Sequence, residues 1–369
     1  MAKTYLVNGQ VYIGRAFEKK TLCMDEGKLT VLEAGCDTAD GTVFDAQGLK
    51  VVPGFIDTHT HGAVGVDVNG ATAEDLEKIS CFMASKGTTS WLCSVLTDTQ
   101  EQTEWCIEQF KAHKVMEQNG AELAGIHLEG PFLAKEYKGA MMITVAPEVE
   151  GGMNVGVEAA KRGIVASVAH SNADYSVIEK ALSYGYSDVT HIYSACSGMK
   201  KVGIFRVAGV VEAGLSLPGY TTQFIGDLRH LPYGVLKLIH QAKGADKAYA
   251  ISDGLEYSAL DMTDGTVIMQ ENGLEVLFED NVMKLADRSC LAGSVATSNV
   301  LVKNMYKTAG IPLVDAVRMA SLTPLSVIGF DKTKGRIKEG YDEDIILFDE
   351  EVNVSFVCVN GKIIKNSSS

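Results

Sequence analysis

The sequence predicts an α/β protein: a (β/α)8 barrel of the TIM type carrying a small β-sandwich built from both chain termini. Three observations predict it. Strand-like and helix-like runs alternate through the middle of the chain, the pattern of stacked β-then-α units. The two ends hold only short strand-like runs, neither long enough to enclose a core alone. Six side chains suited to metal or proton chemistry fall at the C-terminal ends of predicted strands, and a barrel gathers those ends on one rim. The expected division is residues 1–50 plus 336–369 for the small domain and 51–335 for the barrel. A length of 369 residues suits one large domain plus a smaller module.

Residues 4–7, 10–13 and 29–32 read as strands, separated by turn signals at Asn8-Gly9 and Glu26-Gly27. At the other end, 344–348 and 355–359 read as strands, and Asn360-Gly361 reads as a hairpin turn before 362–364. Between them stands the stretch that organises the chain, residues 51–62. Its apolar first half reads as buried strand, and His59 and His61 at i and i+2 share one strand face. Gly62 lets the backbone turn away where a site would open. Thr72-Ala73-Glu74-Asp75 is a capped helix start, followed by Leu76, Ile79 and Met83 at helical spacing and a stop at Gly87. A strand over 88–96, a helix over 101–116 and a strand over 123–128 come next. Strands at 164–169, 188–193, 221–225 and 249–252 each precede a helix-like segment or a connection long enough to hold one. The eighth strand is expected near 290–293, before a helical 295–306, and a last helix over 313–320 ends before Pro324. About eight units over roughly 270 residues match a barrel's usual length of about 250. An open doubly wound sheet competes, but it predicts a Gly-x-Gly-x-x-Gly turn after an early strand, which this chain lacks.

A net charge of −14 with no cluster of Lys and Arg argues against a nucleic-acid surface. The N-terminus has no apolar signal region, and no segment approaches the roughly 18 apolar residues of a membrane span. A cytoplasmic protein without membrane contact is expected. The eight cysteines include no C-x-x-C pair, so buried thiols are expected rather than a disulfide framework or a zinc knuckle.

His59 and His61 end the first barrel strand, Glu129 and His170 each follow one, His191 lies within 188–193, and Asp253 follows 249–252. Taken singly, each has a plain structural reading: a helix cap, a core histidine, two imidazoles close by chance. All six at one edge favour a shared site. Four imidazoles and a carboxylate suffice for one divalent ion or two, and two neighbouring ions need an anionic bridge, for which Glu129 is the candidate. Such a site lowers the pKa of bound water to about 7. Asp253 can then act as general base and afterwards as general acid. His127 would share the face of Glu129 and stand behind it, whereas His113 and His240 fall in helices and are expected to be solvated.

The motifs Pro53-Gly54-Phe55-Ile56-Asp57-x-His59-x-His61-Gly62, His127-Leu128-Glu129-Gly130-Pro131-Phe132, Ala169-His170-Ser171-Asn172-Ala173, Thr190-His191-Ile192-Tyr193, Ser252-Asp253 and Leu291-Ala292-Gly293-Ser294 resemble the amidohydrolase superfamily. Within it they are most similar to the N-acetylglucosamine-6-phosphate deacetylases, and the tail segments 316–324 and 335–340 extend the resemblance over nearly the whole chain. The resemblance implies hydrolysis of the N-acetyl group of N-acetylglucosamine 6-phosphate to glucosamine 6-phosphate and acetate, by hydroxide generated at the metal. It implies that Glu129, His170 and His191 bind the tighter ion and that His59 and His61 complete a second site. Zinc is expected first, with iron, manganese or cobalt as alternatives. Asp253 resembles the catalytic aspartate, His230 a substrate-binding histidine, and Arg206 an arginine that reaches the sugar phosphate beside the backbone of Ser194 and Ala195. Ala140 and Met141 fall where the family lines the sugar pocket.

Three positions depart from the family pattern. Met141 replaces a usual histidine, Ser194 a usual asparagine, and Lys200-Lys201 lie in an altered loop before Arg206. A homodimer is implied as well. The alternative within the class is a deacetylase for the galactosamine isomer or for an unphosphorylated sugar. Outside it, a metal-storing or scaffolding relative would lack the proton-transfer residue, and Asp253 is present.

Overall fold

Parallel strands buried on both faces dominate the computed structural model, which describes residues 3–130, 139–270 and 273–366. Pro131 and Phe132 of the expected motif lie outside the described residues, as do residues 367–369 of the small domain. Eight strands form the parallel sheet: Phe55–Thr60, Thr88–Leu96, Glu122–Glu129, Ala140–Thr144, Val165–Val168, Tyr186–Val189, Thr221–Ile225 and Ala248–Ile251. Every pairing along it is parallel and follows chain order. The first and last strands meet through backbone bonds at their C-terminal ends. Asp253 N–H donates to His59 O at 2.9 Å, and His61 N–H and Gly62 N–H donate to Gly254 O at 2.7 and 3.0 Å. Closure thus sets Asp253 beside His59.

The eighth barrel strand is not the expected 290–293. Leu291–Gly293 instead edges a four-stranded antiparallel sheet with Thr266–Met269, Glu275–Glu279 and Val282–Leu285. The missing strand is Ala140–Thr144, which slots between Glu122–Glu129 and Val165–Val168. Helices coat the outside. Thr72 caps Ala73–Ser85 with the reciprocal Asp75 bond, as the capping pattern predicts. Ala73–Ser85, Gln100–Lys114 and Leu313–Ala320 all match expected helices within a few residues. Ile56, Leu92 and Met142 meet Leu325 and Ile328 in one apolar cluster near the N-terminal ends of the strands. His113 is buried rather than solvated, with Nε2 2.8 Å from Glu77, and His240 is part-buried against Asp315 at 3.0 Å.

Strands from both chain ends share a second eight-stranded sheet. Asn8-Gly9 is not a hairpin turn there: Lys3–Ile13 is one strand, and its register shifts between Leu6 and Gly9. The irregularity lets one strand serve two neighbours, Gly41–Asp45 before it and Lys50–Pro53 after it. Glu26-Gly27 and Asn360-Gly361 do form tight hairpin turns, each with two consecutive positive φ angles (52° and 80°; 46° and 81°). The sheet curls until Phe44 meets Phe356, ring centroids 4.8 Å apart, over a core of Leu6, Val11, Leu22, Ile345 and Leu347. Val51–Pro53, expected as the start of the barrel strand, belongs to this sheet through its pairing with Ile345–Phe348, and the barrel strand starts after Gly54. A Cβ at Gly54 would sit 2.0 Å from Thr89 Oγ1, so only glycine fits where the chain crosses between the two layers.

One buried cation joins the layers. Lys334, 6% exposed, pairs with Asp344, with Glu122 Oε2 at 3.0 Å and with Asn360 Oδ1 at 2.7 Å. Glu122 opens a barrel strand, whereas Asp344 and Asn360 belong to the curled sheet's segments. Lys334→Ala strands the buried Asp344 carboxylate without its cation and leaves Glu122 with the Lys114 cation alone, 3.5 Å away. Denaturant unfolding should show a loss of about 3–5 kcal/mol, and a loss below about 1 kcal/mol would mean that the cluster does not hold the layers together.

Candidate metal centre

The strand ends bring five of the six predicted chemical groups into one buried cluster and leave the sixth at its mouth. His59, His61, Glu129, His191 and Asp253 are buried or nearly so, while the His170 side chain is 57% exposed. Glu129 lies at the centre. Its Oε1 is 2.8 Å from both His170 Nε2 and His191 Nε2, and its Oε2 is 3.5 Å from His59 Nε2 and 3.2 Å from His61 Nε2. One carboxylate therefore offers an oxygen to each of two imidazole pairs. Asp253 Oδ1 closes the second pair, 3.2 Å from His59 Nε2 and 3.3 Å from His61 Nε2. The donor atoms of His59, Glu129 and His191 lie within 4.8 Å of one another, as do those of His59, His61 and Asp253.

Local backbone geometry aims these groups. His170, His191 and Asp253 have φ of 48°, 31° and 50°, a left-handed conformation costly for residues with a Cβ and concentrated at functional sites. His191 was expected within a strand; the strand stops at Val189, and the left-handed turn swings the ring over the rim. Backbone carbonyls then fix two ring orientations. His61 Nδ1–H donates to Ser94 O and His191 Nδ1–H to Ser194 O, both at 3.1 Å, which turns each Nε2 toward Glu129, where it holds a proton without an ion and can ligate once that proton is lost.

The electrostatics call for a cation. Burial pushes the Glu129 and Asp253 carboxyls up, but the surrounding imidazoles outweigh it and hold both well below the usual range. Burial lowers His61, but hydrogen bonds to Asp253 and Glu129 outweigh that and raise it to about 10. His61 thus stabilises the ion-free fold fully below its ordinary 6.5, a contribution lost as pH rises through about 10. The carboxylates contribute above their ordinary values, and that contribution is lost as pH falls through their depressed ones. Imidazole Nε2 atoms converging on carboxylates in a dry pocket fit a divalent ion, which takes the place of the protons.

The expected substrate contacts divide. Ser194 and Ala195 follow His191 directly, and Ala195 lines a surface cavity with His170, Asn172, Tyr193, Cys196 and Ser197. His230 Nδ1–H donates to Asp227 Oδ2 at 2.7 Å, while Asp227 Oδ1 accepts the backbone N–H of Arg229 and of His230, each at 2.8 Å. Asp227 orients this ring and leaves Nε2 free; the Asp-x-x-His spacing was its signal in the sequence. Arg206 stands exposed on the hairpin of Lys200–Val202 and Phe205–Val207, opposite Lys201. Ala140 and Met141 do not reach the site. Ala140 pairs with Ile126, three residues short of Glu129, and Met141 packs against the apolar cluster that holds Ile56 and Leu325. His127 stands behind His59, with ring Nδ1 atoms 3.1 Å apart.

Residues 50–364 match the amidohydrolase family. The chain is 26% identical to N-acetylglucosamine-6-phosphate deacetylase of Lysinibacillus sphaericus, over 94% of this chain and 93% of that one. It is 25% identical to N-acetylgalactosamine-6-phosphate deacetylase of Escherichia coli O157:H7, over 92% and 95%. The crystal structure of N-acetylglucosamine-6-phosphate deacetylase from Pasteurella multocida superposes with a TM-score of 0.88 at 28% identity, covering 99% of this chain and 100% of that one.

Because His61 carries a proton at pH 7 in ion-free protein, zinc added to chelator-stripped protein in weak buffer should release protons into solution. Binding with no proton release, followed by pH-indicator dye, would remove His61 from the ligand set.

Proposed function

The chain belongs to the amidohydrolase family, and on that premise we propose that it hydrolyses the N-acetyl group of N-acetylglucosamine 6-phosphate to glucosamine 6-phosphate and acetate. One observation carries the reading: a carboxylate shared between two imidazole pairs, with a second acid at the edge, in a chain whose deacetylase relatives match it end to end.

In this reading Glu129, His170 and His191 hold the tighter divalent ion, and His59 and His61 hold a second. The nitrogen and oxygen donors suit zinc first and iron, manganese or cobalt after it. When bound, such an ion polarises the amide carbonyl and lowers the pKa of water to about 7. Asp253 takes a proton from the attacking water as its oxygen bonds to the carbonyl carbon. It returns that proton to the amide nitrogen as the C–N bond breaks, because an amine leaves poorly as its anion. His230, pinned by Asp227, offers Nε2 to the substrate. The backbone of Ser194 and Ala195 lies beside the sugar phosphate, and Arg206 supplies its countercharge. Eight free thiols suit a reducing compartment such as the cytoplasm, and no helix among the described residues is long and apolar enough to cross a membrane. A homodimer completes the reading by family resemblance.

The galactosamine-6-phosphate relative supports a second substrate. Acetate release from both N-acetylhexosamine 6-phosphates and their unphosphorylated forms ranks the candidates, and no release from any of them would sink the assignment. Asp253→Asn should lower kcat about 10²–10⁴-fold while ion content at the Glu129, His170 and His191 set stays near wild type; undiminished turnover would strip Asp253 of its role. Arg206→Ala should raise KM for the phosphorylated sugar about tenfold or more, the scale of a charged hydrogen bond, and leave the unphosphorylated analogue unaffected. Equal effects on both would place Arg206 elsewhere.

A further inference from the structure

Below the cluster the barrel interior is polar, and its hydrogen bonds form a continuous path. His59 Nδ1 lies 3.1 Å from His127 Nδ1, and His127 Nε2 lies 2.7 Å from Thr144 Oγ1. Thr144 Oγ1 is 2.7 Å from Thr190 Oγ1, which is 2.6 Å from Ser167 Oγ, and Ser167 donates to Asp188 Oδ2 at 2.8 Å. All six residues are buried, none exposing more than 2% of its surface. Asp188 also receives Gln223 Nε2 at 2.7 Å, Thr221 Oγ1 at 2.5 Å and Tyr249 Oη at 3.1 Å, so its carboxylate accepts at every contact.

Each hydroxyl has one proton to donate, which gives the path a direction. Ser167 spends its proton on Asp188 and so accepts from Thr190. Thr190 in turn accepts from Thr144, and Thr144 accepts from His127 Nε2–H. A neutral imidazole protonated at Nε2 has a bare Nδ1, so His127 accepts from His59 Nδ1–H. His59 is left with a bare Nε2 facing Glu129 and Asp253. A competing arrangement exists: His127 Nδ1 lies 2.9 Å from Thr58 O, and a proton placed there would turn the Thr144 hydroxyl toward His127 Nε2, leave one link between Thr144 and Ser167 without a proton, and put the His59 proton on Nε2.

We infer that Asp188 is a remote positioning residue, which through Ser167, Thr190, Thr144 and His127 holds His59 in its ligating tautomer before any ion arrives. This rests on the reading of His59 as a metal ligand and names what sets its proton. Outer hydrogen-bond partners of ligating histidines are worth about 10–100-fold in metal affinity.

Thr144→Val keeps the shape and removes the hydroxyl, while Thr144→Ser restores it. Zinc affinity, read by competition with a chromophoric chelator, should fall about 10–100-fold in Thr144→Val and return in Thr144→Ser. In metal-free wild type, ¹⁵N resonances of the histidine rings should place the proton on Nε2 of His127 and Nδ1 of His59, and in Thr144→Val on Nδ1 of His127. A wild-type His127 protonated at Nδ1 overturns the inference. So does a Thr144→Val protein that melts earlier yet binds zinc as wild type does. Should Thr144→Val not fold, Ser167→Ala, one link from Asp188, carries the same expectations. Wild-type protein that holds no zinc would defeat the metal reading alone, since the ring resonances of the metal-free protein still decide the direction of the path.

Discussion

A buried carboxylate has to be met by positive charge, and the barrel rim is arranged around that demand. Glu129 is 7% exposed, with an imidazole pair at each of its oxygens. Leaving water costs an ionised acid several kcal/mol, so the four rings and the ion they suit are the condition for placing it there. The first and last strands close through Asp253 N–H to His59 O and through His61 N–H and Gly62 N–H to Gly254 O, which means that the bonds completing the barrel also complete the cluster. Fold and site share those hydrogen bonds, and neither can be shifted alone.

Beneath the rim the interior departs from the layered branched side chains usual in such barrels. Thr144, Ser167, Asp188, Thr190 and Gln223 are buried and bonded to one another. Polar interiors succeed only when nearly every group is satisfied, and the hydroxyls of Thr144, Thr190 and Ser167 satisfy one another in a line that ends on Asp188, which Gln223 Nε2 also meets, its Oε1 alone among them lacking a partner. Apolar packing is left to the barrel's outer face, where Trp91, Phe224 and Leu236 join one large core with the helices, and to the floor beneath Met142. The curled sheet carries its own core and meets the barrel at Gly54 and Lys334, positions with little freedom to vary.

The clustered acids and histidines and the residues proposed to meet the substrate are built differently. The ligand candidates sit on strand ends and are held by backbone closure, whereas Arg206 rides an exposed hairpin and Ser194 and Ala195 follow a left-handed turn. Loops on a rigid barrel can change without disturbing the chemistry. That fits where the side chains of this chain depart from its family's pattern: Met141 on the floor and the lysines on the hairpin of Arg206, while Ser194 meets His191 only through its backbone carbonyl.

Much was legible in the residues themselves. Imidazoles two apart on a strand, acids and histidines just after apolar runs, a capping box and Asn-Gly or Glu-Gly turns are local patterns, and local patterns survive in one dimension. His59, His61, Glu129, His170, His191 and Asp253 stand out this way as groups the structure gathers at one rim, and the helix at Ala73–Ser85 and both tight hairpins were legible by the same means. Tertiary structure decided what depends on pairing between distant segments. Residues 140–144 and 291–293 are both short apolar runs, and only sheet register makes the first a barrel strand and the second an edge of another sheet. The same register lowers Ala140 and Met141 to the floor. Asn8-Gly9 became an irregularity inside a strand because two neighbours compete for that strand. Beyond His59, the path to Asp188 is marked in the sequence only at His127, by its place two residues before Glu129. Its other links are one ordinary serine and two ordinary threonines in or just past buried strands, joined across the barrel to residues up to 68 positions apart along the path, and an order that exists only between strands is created by closing the barrel.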